Sequence, residues 1–133
     1  MIQRQFTLFM ESKRGALARV AESLAKAKVN IEGISVAESE DTALMQVIVD
    51  RPEAAQRALK AEGISFEAQD VAVVLLPHRP GALAALAAHL AKAGVNINYL
   101  YATVAEDEPH CCVVLSADDL AKAEKAAAAL CKK

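Results

Sequence analysis

Apolar residues recur at every second position near the start of the chain and at every third or fourth soon afterwards. Phe6, Leu8 and Met10 share one face of an extended segment, which predicts a strand over Gln5 to Met10. A turn follows. Leu17, Val20, Ala21, Leu24 and Ala27 then recur at three and four, the stripe of an amphipathic helix. Next come a strand over Asn30 to Glu38, an acidic turn from Glu38 to Asp41, and a strand over Ala43 to Val49. Pro52 suits the first turn of a second helix, which runs to about Glu62 and stops at Gly63. Ile64 to Leu76 is extended, with no Gly or Pro. The series then restarts. Leu83, Leu86, Ala87, Leu90 and Ala93 form a third stripe, started by Pro80 and ended by Gly94. A strand over Asn96 to Ala105, an acidic turn to Pro109, a strand over Cys111 to Leu115 and a last helix complete the chain.

The restart is a duplication. A shift of 66 positions lays Gly15 to Ile31 on Gly81 to Ile97 with 12 of 17 residues identical and no gap. The same shift sets Asp50 on Ser116 and Gly63 on Ala129, four residues before the end. Asp50 with Glu53, and Ser116 with Asp119, have the spacing of helix caps. Each unit reads β-α-β-β-α-β. The fold class is therefore α+β: two ferredoxin-like units with antiparallel sheets, the second lacking or shortening its last strand. The units are expected at residues 1–69 and 70–133. A missing strand would leave a sheet edge open, and open edges invite pairing. Alanines at Ala85, Ala88 and Ala126 to Ala129 leave bare helix faces. Together these predict a homodimer or higher assembly.

Composition narrows the function. The net charge is −2 and aromatics make up 4% of the chain, which argues against nucleic acid. No apolar run reaches the ~18 residues of a membrane span, so no membrane partner is expected. No secretory leader is visible, and Cys111, Cys112 and Cys131 have no framework spacing, so a cytoplasmic protein with reduced thiols is expected. His78, His89, His110, Cys111 and Cys112 show no ligand spacing, and neighbouring strand residues face opposite ways; no metal site is expected. His89 lies one step off the helical stripe and is expected at the surface. No nucleophile has a base and an orienting group beside it, so no catalytic residue and no cofactor is expected.

Gly15 and Gly81 each open a helix, where free N–H groups and the helix dipole favour an anion. The same glycines would also serve a tight turn. Asn30 and Asn96 each follow a helix. An amide there either caps the local backbone or meets both ends of a zwitterion.

The segment from His78 through Arg79, Pro80, Gly81 and Ala82 to Leu83, then Ala93 to Ile97, then Tyr99 to Tyr101, resembles an ACT domain. Arg14 to Leu17 with Val29 to Ile31 resembles a second. The resemblance implies ferredoxin-like regulatory modules that bind amino acids. It implies ligand contacts at Ser12, Gly15, Ala16, Leu17 and Asn30, and at His78, Gly81, Ala82, Leu83 and Asn96, at the junction of the repeats. The expected function is a non-catalytic regulator or sensor that binds a small amino acid, with a metabolic enzyme as a possible regulated partner. The alternative is a ligand-free oligomerisation or interaction module for an enzyme of amino-acid metabolism. Lys28 stands where Gly94 ends the matching helix, so it is expected with a positive φ.

Overall fold

The computed structural model describes residues 1–11, 13–104 and 109–131, with residue 131 described by its backbone alone. The elements are β1 (Ile2–Glu11), α1 (Ala16–Lys26), β2 (Ile31–Ser39), β3 (Thr42–Val49), α2 (Pro52–Ala61), β4 (Phe66–Pro77), α3 (Ala82–Lys92), β5 (Ile97–Thr103), β6 (His110–Ala117) and α4 (Leu120–Cys131). The chain divides into two compact units, Arg4–Gln69 and Met1–Gln3 with Asp70–Lys133.

In the N-terminal unit the strands lie in the order β2-β3-β1-β4. The β1–β3 and β2–β3 pairs are antiparallel, with Phe6 opposite Val47 and Val36 opposite Met45. Phe6, Leu8 and Met10 point into a core closed by Val20 and Leu24 of α1 and Ala55 and Leu59 of α2. Phe6 meets Phe66 edge to face, with ring centroids 5.4 Å apart.

In the C-terminal unit the order is β1-β4-β6-β5. Its core is Ala72, Val74 and Leu76 of β4, Leu86 and Leu90 of α3, and Ala123 and Ala127 of α4. Among the described residues this unit has no last strand of its own. Met1–Gln3 stand in its place: Met1 and Val73 exchange backbone bonds of 3.1 and 2.7 Å, the signature of an antiparallel pair. The edge of β4 expected to be open is therefore covered at Val73, and that argument for self-association falls away.

The repeat needs two offsets. Phe9 lies opposite Leu44 and Leu75 opposite Cys112, so β1 and β4 differ by 75 − 9 = 66, but β3 and β6 by 112 − 44 = 68. Two extra residues lie between β5 and β6. Asp50 therefore corresponds to Asp118 rather than Ser116, and Gly63 to Cys131 rather than Ala129.

Val20, Leu24, Leu86 and Leu90 face the cores as expected, but the helical stripes differ from the expected ones at their first positions. In α1 the buried residues are Ala16, Val20, Ser23 and Leu24, while Leu17 is 47% exposed. In α3 Leu86 and Leu90 are buried, while Leu83 is 52% exposed and Ala87 is also exposed. Both registers satisfy a spacing of three and four. The observed one leads with alanine, and hydropathy alone ranks leucine above alanine. His89, expected at the surface, is half-buried on this face with Nδ1 3.0 Å from the Ala85 carbonyl. On α4, Ala127 is buried and Ala126 packs on the core, leaving only Ala128 and Ala129 of the expected bare face.

Candidate functional site

Two pseudo-equivalent clefts sit at the turns that lead into α1 and α3. The chain leaves β4 at Pro77, and the Arg79 N–H bonds back to the Pro77 carbonyl at 3.0 Å. The Ala82 N–H bonds to the Arg79 carbonyl at 3.3 Å, as the Ala16 N–H does to Lys13. Gly15 and Gly81 have φ of 86° and 89°. Nothing lies within 4 Å of where a Cβ would stand on either. The left-handed backbone, not crowding, is what calls for glycine here. The turn reading of these glycines therefore holds, and each glycine also lines a cleft.

The cleft in the C-terminal unit has a volume of about 510 Å³. Arg79, Gly81, Ala82 and His110 line it, with an apolar wall that includes Leu75 and Leu130. The Gly81 and Leu83 N–H groups have no partner among the described residues, and α3 has no side-chain cap. The cleft in the N-terminal unit has a volume of about 450 Å³ and is more polar, with Glu11, Lys13, Arg14 and Arg19 around Gly15 and Ala16. The Arg19 guanidinium donates to the Glu62 carbonyl, tying α1 to the end of α2.

The expected site residues divide. Gly15, Ala16, Gly81 and Ala82 line the clefts. Leu17 and Leu83 are exposed beside them. His78 is exposed outside the cleft lining, with its backbone N–H on the Pro109 carbonyl at 2.9 Å. Ser12 lies outside the described residues.

Asn30 and Asn96 also lie outside the cleft linings. Their backbones, not their amides, are engaged. The Asn30 N–H donates to Asp50 Oδ1 at 2.8 Å and its carbonyl accepts from the Asp50 N–H at 3.1 Å. Asn96 and Asp118 repeat this at 2.9 and 3.1 Å. Asp50 is thus a clamp on the Asn30 backbone and not the expected cap of α2. The cap of α4 is Asp119, whose carboxylate accepts the Lys122 N–H at 3.1 Å, not Ser116. Both side-chain amides, Asn30 and Asn96, are exposed and have no partner among the described residues. A bulge follows each asparagine, between Ile31 and Gly33 and between Ile97 and Tyr99. Sequence reasoning missed Arg79, His110 and the two aspartates; allowing two inserted residues in the repeat would have found Asp118.

Cys111 packs against the C-terminal core, and both Cys111 and Cys112 are half-buried. The Tyr101 phenol is pushed above its usual range by burial first, then by Tyr99 and Cys112. No group of three metal-ligating side chains comes together among the described residues. None of the described helices is long and apolar enough to cross a membrane.

Duplicated split βαβ units, each with a cleft at the turn before its first helix, define a tandem ferredoxin-like protein. The family model of the ACT domain pair matches residues 1–130, and the chain belongs to that family. Protein BT0572 from Bacteroides thetaiotaomicron is 32% identical, with a TM-score of 0.88 over 95% of this chain and 86% of that one. The ligand-free regulatory subunit of aspartate kinase from Thermus thermophilus is 23% identical, with a TM-score of 0.68 over 96% and 91%. Escherichia coli aspartokinase III in complex with lysine and aspartate is 18% identical, with a TM-score of 0.54 over 98% of this chain and 31% of that one. These last two share the fold. Comparison with curated proteins finds no match.

Proposed function

We propose that this chain is a non-catalytic regulatory protein that binds a small amino acid in the cleft beside Gly81. The observation that carries the reading is the cleft itself, built on the turn before α3 with open N–H groups at Gly81 and Leu83. A helix start of this kind attracts a carboxylate, and the Arg79 side chain adds a charge of the right sign. The apolar wall suits a small uncharged side chain. The Gly15 turn forms the weaker twin site. Aspartokinase III, solved with two amino acids, lends the reading support.

Calorimetric titration against the twenty amino acids tests it. One or a few should bind, and Arg79→Ala should weaken that binding by roughly ten- to a hundredfold, the effect of losing a charged hydrogen bond. Flat isotherms with all twenty would remove the proposal.

One observation favours a second reading, an interaction module for itself or for a metabolic enzyme. The exposed apolar side chains recur at matching positions: Phe9 at 45% and Leu75 at 60%, Leu17 at 47% and Leu83 at 52%. Repeated exposure of large apolar groups marks contact surfaces. Sedimentation at high concentration that returns only a 14.1 kDa monomer argues against self-association.

A further inference from the structure

A third cleft, of about 380 Å³, lies in the N-terminal unit at the start of α2 and is lined by Arg4, Arg51, Pro52, Glu53, Ala54 and Arg57. We propose that this cleft binds a compact phosphate-bearing anion, held by its three guanidinium groups.

The first ground is charge. Three arginines and one glutamate line the cleft of a protein whose net charge is −2. The Arg4 and Arg57 guanidiniums have no ion pair or hydrogen-bond partner among the described residues. Arg51 is anchored differently. Its Nη1 donates to the Ala27 and Lys28 carbonyls at 3.3 and 3.4 Å, at the end of α1. That leaves the rest of its donors for the cleft.

The second ground is the comparison between repeats. With the offsets found in the sheet, Arg4, Arg51 and Arg57 correspond to Asp70, Asp119 and Lys125. Asp119 caps its helix through the Lys122 N–H. Arg51 stands in that place and gives α2 no side-chain cap. Pro52 has no N–H, and the first backbone bond at the helix start is from Ala55 to the Arg51 carbonyl. The Glu53 and Ala54 N–H groups have no partner among the described residues, and both residues line the cleft. The shared fold is built without these arginines in the other repeat, so it does not require them. The N-terminal repeat has exchanged a capping carboxylate for a guanidinium and an open helix start, which is the pairing a phosphate needs.

The third ground is the type of cation. Arginine presents a planar fork that matches phosphate oxygens in pairs, whereas lysine is a point charge. Glu53 opposes a single negative charge, so a ligand with two or more is favoured. The volume falls near the lower end of the roughly 300–1,000 Å³ of small-molecule sites. A diphosphate group fits that scale, and the acidic balance of the whole chain disfavours a nucleic acid.

Titration of the intact chain with sodium pyrophosphate and with ADP, at roughly 0.15 M salt to screen diffuse attraction, tests the proposal. Saturable binding of one equivalent is expected. Arg4→Gln and Arg57→Gln should each weaken it by roughly ten- to a hundredfold. Arg57→Lys should recover part of the loss. Both side chains are exposed, so all three variants should melt like the parent, and amino-acid binding at Gly81 should be unchanged. Tighter binding of ADP assigns a nucleotide and equal binding assigns the diphosphate alone; both support the site. Three results overturn it: no binding of either anion, equal binding by the glutamine variants, or an oligonucleotide that displaces pyrophosphate and binds more tightly.

Discussion

A lysine in left-handed backbone is a local cost carried by the rest of the fold. Lys28 has φ 59°, where its counterpart Gly94 has 77°. The Cβ of an L-residue crowds the carbonyl in this region, at about 1 kcal/mol relative to glycine. Lys28→Gly should therefore raise stability by up to about 1 kcal/mol, read by denaturant unfolding. A variant no more stable than the parent would count against the strain. Tyr101 gives a pH prediction. Its phenol has a raised pKa in the folded state, chiefly from burial. A raised acid adds stability that is complete below the unfolded value of about 10 and is lost as pH climbs above it. Stability should fall above about pH 10, and Tyr101→Phe should flatten that fall. At this scale the glycines at 15, 81 and 94, and the positive φ at Lys28, were legible as residue types repeated in place. Asp50 and Asp118 were not, because their partners are backbone groups about 20 residues away.

Helices show where element-level reasoning stops. The period of α3 was readable, but its rotation was not, since Leu83 and Leu86 both fit a stripe. Leu86 and Leu90 are fully buried, and Leu83 is half in solvent. Leu90→Ala should cost about 2–5 kcal/mol, the range for a buried leucine. Leu83→Ala should stay within about 0.5 kcal/mol. Equal costs in thermal or denaturant melts would mean that the helix is turned as its hydropathy suggests. In both α1 and α3 the leucine one residue into the helix, Leu17 or Leu83, faces out. Strand boundaries came closer to expectation, because alternation under a single buried face admits one register.

The whole molecule completes its second unit with residues from the start of the chain. Met1–Gln3 lie beside β4, and the Met1 ammonium also meets Glu124 of α4 at 2.9 Å. Deletion of residues 1–3 should expose the Val73 amide and speed its hydrogen exchange, while amides of the N-terminal core, such as Val47, keep their protection. Unchanged exchange at Val73 would refute the pairing. The sequence by itself determined the duplication, the order of elements, the ferredoxin-like class and the glycine turns, because these rest on local period and backbone chemistry. Tertiary structure decided the offset of 68 after β5, the inward face of each helix, the strand that covers β4, and which side chains reach each cleft. Those depend on residues far apart in the chain. Arg4 and Arg57, or Arg79 and Leu130, share a cleft only after strands pair and helices pack. No local pattern records that meeting.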